Sequence, residues 1–371
     1  MKCNRNYSNG FLLLLISLLG CTIPFSATGA SALMPLTQAV EFSNGTMRGV
    51  TTSEVQPNGS DGYLDSDFSD LAATKANLVR APIPLTRCGG CSSYGYPSAA
   101  IASVEHTLQM GERYGFRVVV TLAVKAASES DKPVREYWQN PDLRKSIAQN
   151  WRHIAEQLKS FPALAAYDLI NEPVPPGNLA AQQMVWRDFS INLVKAIRAE
   201  DSRHVIIFEP APWAFAASFK DLQPLPFQNI VYSFHFYRTY AFTHQGVYPD
   251  APYGIEYPNT ELNKTDLSQA LQPVRDFSRR YGAPIYVGEF SAARWAPDDG
   301  SSRYLKDSIE LFEAEKWSWT YLGWRGYHGW DAEIPYNVPR EIRQVEAVKT
   351  RVAHTPSMDL MRSYFTYNKS P

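Results

Sequence analysis

Two glutamates occupy positions where side chains do chemistry. Ala165-Ala166-Tyr167-Asp168-Leu169-Ile170 is a largely apolar run that passes directly into Asn171-Glu172-Pro173. Pro173 cannot donate a ladder hydrogen bond, so the strand ends there and Glu172 stands at its C-terminal tip. Pro284-Ile285-Tyr286-Val287-Gly288-Glu289-Phe290 repeats the arrangement far downstream. One strand-end glutamate is an accident; two on separate strands suggest a paired-carboxylate enzyme. Glycosidic cleavage uses such a pair, one carboxylic acid protonating the leaving oxygen and one carboxylate facing the anomeric carbon. A gap of about 5–5.5 Å lets the carboxylate attack and retains configuration, whereas about 6.5–9.5 Å admits water and inverts it. Most acidic residues are solvated surface charges, but both of these follow runs that belong in a buried wall.

Such a pair needs a frame that brings strand ends together. Met47 to Thr52, Asn77 to Ile83, Phe116 to Val124, the Asn-Glu-Pro strand, Val205 to Phe208, Asn229 to Phe236, the Glu289 strand and Trp317 to Leu322 read as eight strands. Helical spacing appears between them, with Phe68 to Lys75 as a brief helix. Ile101, Val104 and Leu108 mark a second helix, and Leu143, Ile147, Trp151, Ile154 and Leu158 one face of a third. Trp186, Phe189, Leu193 and Ile197 follow, then Asp266 to Tyr281, where Pro273 predicts a kink or a late start. Leu305, Ile309 and Phe312 mark another helix, and Met358 to Tyr367 a last one. This alternation predicts parallel strands with helical crossovers, and for eight of them a (β/α)8 TIM barrel, with Glu172 and Glu289 ending strands four and seven. An open doubly wound sheet is the alternative; no glycine-rich phosphate loop follows any strand, which disfavours its nucleotide-binding form.

In element order the chain resembles the clan of retaining β-glycosidases that includes glycoside hydrolase family 5, the cellulase-like family. The resemblance rests on Arg80 in the second strand, Asn171-Glu172-Pro173 after the fourth, His235 and Tyr237 after the sixth, Glu289 after the seventh, and tryptophans after the eighth. It implies that Glu172 is the acid/base and Glu289 the nucleophile. It further implies that Asn171 binds the sugar 2-hydroxyl, that Arg80 keeps Glu289 ionised, and that Tyr237 steers Glu289 by a hydrogen bond. His235, two residues from Tyr237 and on the same strand face, belongs near the sugar or near Glu172, unless it is a satisfied core histidine. The chain departs from the pattern after the third strand, where many members carry a histidine and this one has Leu122-Ala123-Val124-Lys125. Trp324 is the first choice for a sugar platform, with Trp330 and Trp213 as further candidates and burial as the alternative for each. The aromatic-rich segment 238–259 reads as a wall of the cleft.

Composition bounds the rest. A chain of 371 residues with 44% hydrophobic residues can build a large core, and a net charge of −1 gives no reason to expect nucleic acid. Lys2, Arg5 and the apolar stretch Phe11 to Leu19 read as an export leader, with Ala30-Ser31-Ala32 as a cleavage site. Residues 1–32 are then signal, and 33–371 one barrel domain. Leu18-Leu19-Gly20-Cys21 also fits a lipoprotein signal, so a lipid on Cys21 is the one membrane attachment expected. An extracytoplasmic location follows, in which Cys88 and Cys91 are disulfide candidates.

No cofactor and no metal are expected, since the seven histidines include no His-x-His pair for a metal-dependent barrel. The partner is a poly- or oligosaccharide and the protein a monomer. A β-1,4-glucan is the default substrate by resemblance, with β-mannan, β-1,3-glucan or an acidic exopolysaccharide as alternatives. The acidic polymer gains its case from Lys125, Arg238, Arg294 and Arg325, all just after strands. A catalytically silent carbohydrate-binding barrel is the alternative of another class.

Overall fold

The structure is a computed structural model describing residues 38–53, 63–87, 93–124, 136–248 and 251–369. The leader, Cys21, the domain boundary at residue 32, the pair Cys88 and Cys91, and Lys125 all lie outside the described residues.

Eight parallel strands follow the chain: β1 (Arg48–Thr51), β2 (Leu78–Arg87), β3 (Arg117–Val124), β4 (Leu164–Asp168), β5 (Val205–Phe208), β6 (Ile230–Phe236), β7 (Ile285–Phe290) and β8 (Ser318–Leu322). Each pairs with the next, and β1 pairs with both β2 and β8, so the sheet closes on itself. This is the expected (β/α)8 barrel. Tyr94–Gly95 adds a short antiparallel partner to the end of β2.

The helices pack outside. They are α1 (Asp65–Ala73), α2 (Ser98–Tyr114), α3 (Pro141–Leu158), α4 (Leu179–Arg198), α5 (Lys264–Ala270), α6 (Gln272–Tyr281), α7 (Gly300–Ala314) and α8 (Pro356–Phe365). In α3 the expected face of Leu143, Ile147, Trp151, Ile154 and Leu158 is buried, and the Asn140 side chain caps its start by accepting from the backbone of Asp142 and Leu143. Pro273 gives the late start: α5 ends before Leu271, and α6 begins with the proline in its first turn, where no intrahelical N–H is needed. The β5-to-β6 crossover departs from the regular alternation, carrying only the 3-10 turn Ala216–Phe219.

The strands alternate between two environments. Outward residues such as Val79, Val118, Ile206 and Phe234 join the large core beneath the helices. Inward residues divide by height. At the N-terminal end Leu78, Val119, Ala166, Val205, Val231 and Tyr286 form an apolar plug with Phe42 and Met47, and the Phe42 ring meets Tyr286 edge-on at 5.3 Å. Above it the interior turns polar, with Thr51, Arg80, Thr121, Asp168, Ser233, His235 and Thr320 all buried. Among the described residues no helix is long and apolar enough to cross a membrane.

Candidate active site

Arg80 organises the polar end of the barrel. It is 1% exposed, and four side chains from the ends of β4, β5 and β7 converge on its guanidinium. Its Nε donates to Asp168 Oδ2 at 2.9 Å and its Nη1 to Glu289 Oε1 at 2.6 Å. Its Nη2 donates to Asn171 Oδ1 at 2.9 Å and to Glu209 Oε1 at 2.8 Å. A rigid fork of donors is what a multi-carboxylate site requires, and lysine could not supply it.

Glu172 and Glu289 face each other across this centre. An oxygen of each, together with a ring nitrogen of His235, lies within 4.8 Å of the others. Glu289 is further held by the Tyr237 hydroxyl, which donates to Oε2 at 2.9 Å. Glu172 meets His235 Nδ1 at 2.9 Å through Oε1, so of its two expected places the histidine takes the one beside Glu172. Asn171 accepts from Arg80 through Oδ1, which leaves its Nδ2 with no partner among the described residues and free for a hydroxyl.

Local backbone devices set this arrangement. Glu172 sits in the left-handed region at φ 47°, an uncommon conformation for a residue with a side chain. Its N–H donates to Glu209 Oε2 at 2.6 Å, which anchors the turn after β4 to the end of β5. In β7 the pairing with β6 slips one residue between Phe234 and His235, so His235 pairs with Glu289 and Gly288 is bulged out. A Cβ on Gly288 would stand 2.6 Å from Ser233 Oγ and 3.0 Å from His235 Nε2, so only glycine leaves room for the imidazole.

A family model described as Cellulase (glycosyl hydrolase family 5) matches residues 39–328, most of this barrel. The chain belongs to glycosyl hydrolase family 5. As a member of that family it is a glycosidase acting on β-glycosides. Endoglucanase C of Acetivibrio thermocellus is 23% identical over 279 residues, covering 67% of this chain and 80% of its own. A Beta-xylosidase of Phanerodontia chrysosporium is 23% identical over 224 residues, 56% of this chain and 44% of its own. A solved hyperthermophilic endo-beta-1,4-glucanase in complex with substrate superposes with TM-score 0.69 at 19% identity, covering 88% of this chain and 99% of that one. Thermotoga maritima Cel5A in complex with cellobiose does so with TM-score 0.69 at 19% identity, over 87% and 99%. At these identities the structural likeness is one of fold.

Electrostatics in the family 5 site follow from burial and charge. Burial raises the Glu172 carboxyl above the ordinary glutamate range, while the His235 hydrogen bond draws it back. Burial also raises Tyr237, and the neighbouring Glu289 and Glu172 add to it, so the phenol is a firm donor. His235 goes well above its usual value: burial works against the charge, but Glu209, Glu289 and Glu172 surround the ring and prevail. Glu172, His235 and Glu289 are also near enough to share a metal ion. The donor set does not suit one. Both imidazole nitrogens already face carboxylates, Nε2 lying 3.1 Å from Glu209 Oε1, and a ring protonated at both has no lone pair to give.

Sequence reasoning missed Glu209 and Asp168, both fully buried here. A signal for Glu209 existed: Phe208-Glu209-Pro210 repeats the strand-Glu-Pro pattern of Glu172 one strand later. Asp168 gave none, since a lone acid within a strand resembles a surface residue.

Trp324 is a correction. Its ring is 1% exposed and stacks on Tyr63 at 5.2 Å with 7° between planes, so it is core rather than a sugar platform. Trp330 is half-buried and Trp213 is 37% exposed, which leaves both with a face for a sugar. From Tyr237 an aromatic series leads outward: His244 at 5.0 Å, then Trp330 at 5.0 Å on one side and Tyr240 at 4.2 Å on the other, with Tyr248 parallel beyond. The expected wall in segment 238–259 contributes three of these.

Three of the four cations behind the acidic-polymer alternative have partners within the protein, and the fourth, Lys125, lies outside the described residues. Arg238 pairs with Asp266, and Arg325 with Asp67, Asp70 and Glu333. Arg294 is buried and donates to the carbonyls of His328, Pro335, Val338 and Pro339. All three thus have protein partners, although the Arg238 side chain is still 47% exposed.

Proposed function

We propose that this protein is a retaining endo-acting β-glycoside hydrolase whose substrate is an extracytoplasmic β-1,4-linked glucan. The observation that carries the reading is the separation of the two carboxyl groups. Oxygens of Glu172 and Glu289 within 4.8 Å of each other fit the shorter of the two separations, the one that suits direct attack. Glu172 donates its proton to the glycosidic oxygen as Glu289 attacks C1, giving a covalent glycosyl-enzyme and a free reducing-end fragment. Glu172, now a carboxylate, takes a proton from water as that water attacks C1 and releases Glu289. Arg80 and Tyr237 hold Glu289 in place, each donating a hydrogen bond to one of its oxygens. His235 offers the charge that stabilises Glu172 once its proton has left.

The β-1,4-glucan is supported by the endoglucanases among the relatives and by the cellobiose complex of a protein with this fold. The apolar leader with its basic start supports export.

The test is stereochemical. Glu172→Ala and Glu289→Ala each lose most turnover on β-glucan, about 10³-fold or more. Azide restores Glu172→Ala on an activated aryl β-glycoside and gives the β-glycosyl azide. Product of inverted configuration from the wild-type enzyme, or near-normal activity of either variant, would remove the reading.

A further inference from the structure

Glu209 has no place in the two-carboxylate scheme, yet the structure holds it as firmly as Glu289, by Arg80, His235 and a backbone N–H. It is fully buried at the end of β5. Oε1 lies 2.8 Å from Arg80 Nη2 and 3.1 Å from His235 Nε2. Oε2 accepts the backbone N–H of Glu172 at 2.6 Å. It thus touches the His235 ring that meets the Glu172 carboxyl, as well as the peptide from which Glu172 projects.

We propose that Glu209 is a positioning residue: it holds His235 as an imidazolium with Nδ1–H directed at Glu172, and it pins the left-handed backbone of Glu172. This rests on the catalytic reading of Glu172 and goes beyond it. The charge count supports the assignment. His235 is faced by Glu172 and Asp168 from the β4 side, Glu209 from β5, Glu289 from β7 and Arg80 from β2, with Tyr237 on its own strand. Four carboxyls therefore share one pocket with two groups able to carry positive charge. Asp168 is driven well above the usual carboxylate range by burial and by Glu209, and burial raises Glu172 also. Arg80 and the His235 ring both lie against Glu209, the carboxylate that these two cations balance most closely. Glu209 itself is held down to about 2: burial opposes its charge, but His235 and Arg80 outweigh it.

A neutral His235 would lose this function. With a proton on Nε2 alone, its Nδ1 would be an acceptor, competing with the leaving group for the Glu172 proton. With both nitrogens protonated, Nδ1 donates, and Glu172 must send its proton to the sugar.

The experiment reads the histidine directly. Protein of the full chain is prepared with 15N-labelled histidine rings, and the His235 signals are assigned by their loss in His235→Gln. In the wild type both ring nitrogens stay protonated from about pH 5 to about pH 8, where a free imidazole would titrate. In Glu209→Gln, which keeps the shape and loses the charge, His235 titrates within that window and kcat falls about 100-fold with KM changed less than about threefold. Glu209→Asp, which restores the charge, returns the doubly protonated signature. A wild-type His235 neutral at pH 7 overturns the proposal with no variant needed. So does a Glu209→Gln protein whose kcat falls while the His235 signals stay as in wild type, since that is the mark of a merely structural contact. The ring signals are read without substrate, so a failure of the β-glucanase reading shows as missing wild-type turnover and leaves this result interpretable.

Discussion

In the proposed double displacement, the Glu172 carboxyl must be protonated when substrate binds and ionised after the first bond breaks. Its raised pKa serves the first need, because the carboxyl keeps its proton at a pH where an ordinary glutamate, with a pKa of about 4.3, has begun to lose it. The basic limb of kcat/KM therefore lies above that value. His235 opposes the shift, being the hydrogen-bond donor that draws Glu172 down. His235→Asn removes the imidazolium, so the limb moves to higher pH while kcat drops. A pH–rate profile of both proteins checks the sign, and a limb moving to lower pH would contradict the assignment. At this scale the sequence disclosed a residue when punctuation marked it. Asn171-Glu172-Pro173 stood out because a proline closes an apolar strand, and Arg80, His235 and Tyr237 were reached through family pattern. Glu209 carries the same punctuation in Phe208-Glu209-Pro210, but a third strand-end carboxylate has no part in a two-carboxylate scheme. Its meaning lies in which nitrogen and which peptide N–H it touches, and that depends on the approach of β4, β5 and β6 in space.

Elements hold these residues through joints far from the chemistry. The turn from α4 into β5 is tied by Asp201, 3% exposed, which accepts from the backbone N–H of Arg203 at 2.9 Å and of His204 at 3.2 Å, and from the Tyr167 hydroxyl at 2.9 Å. Burial would raise this carboxyl, but its hydrogen bonds to His204 and to the turn backbone win, and its pKa in the folded protein is depressed. A depressed folded pKa means stability present above the unfolded value of about 3.9 and lost as pH falls through the folded one. Asp201→Asn should cost about 3 kcal/mol near pH 7, and less as the pH drops below about 4, where the carboxyl of the unfolded chain takes up a proton that the folded one still refuses. Urea unfolding of both proteins at the two pH values tests this, and a gap independent of pH would show that charge is not the cause. Helix faces were legible for a reason that such joints lack. Leu143, Ile147, Trp151, Ile154 and Leu158 repeat at helical spacing and need no partner to be recognised, whereas Asp201 works through Tyr167 on another element. Pro273 offered two outcomes, a kink or a fresh start, and residue type alone does not choose between them. Trp324 was misread likewise: a tryptophan after the last strand fits a platform or a plug, and Tyr63, beyond β1, decides for the plug.

Closure of the barrel belongs to the whole molecule, and it passes through one glycine. The eight strands were readable because parallel strands buried on both faces leave continuous apolar runs. The sequence gives no comparable sign of how the first strand meets both the second and the last. β1 has only four residues, and Gly49 sits opposite Leu78 on one side and Thr320 on the other. A Cβ at Gly49 would stand 1.6 Å from the Leu78 carbonyl oxygen, a backbone atom that cannot rotate away. Gly49→Ala must therefore part β1 from β2, losing ladder hydrogen bonds and exposing the seam above the Phe42 plug. That places it beyond ordinary substitutions, at about 4 kcal/mol or more of lost stability. Gly95 is the control: a Cβ there meets nothing within 4 Å, so Gly95→Ala should stay within about 0.5 kcal/mol of wild type. Denaturant midpoints of the two variants measure the contrast. Because Arg80 lies in β2, two residues beyond Leu78, a parted seam also disturbs the guanidinium that gathers Glu289, Asp168, Asn171 and Glu209. Gly49→Ala protein that remains folded should consequently lose turnover as well as stability, although the substitution is on a strand that contributes no catalytic side chain. Equal midpoints for the two alanine variants would mean that the barrel closes by some other path than this strand.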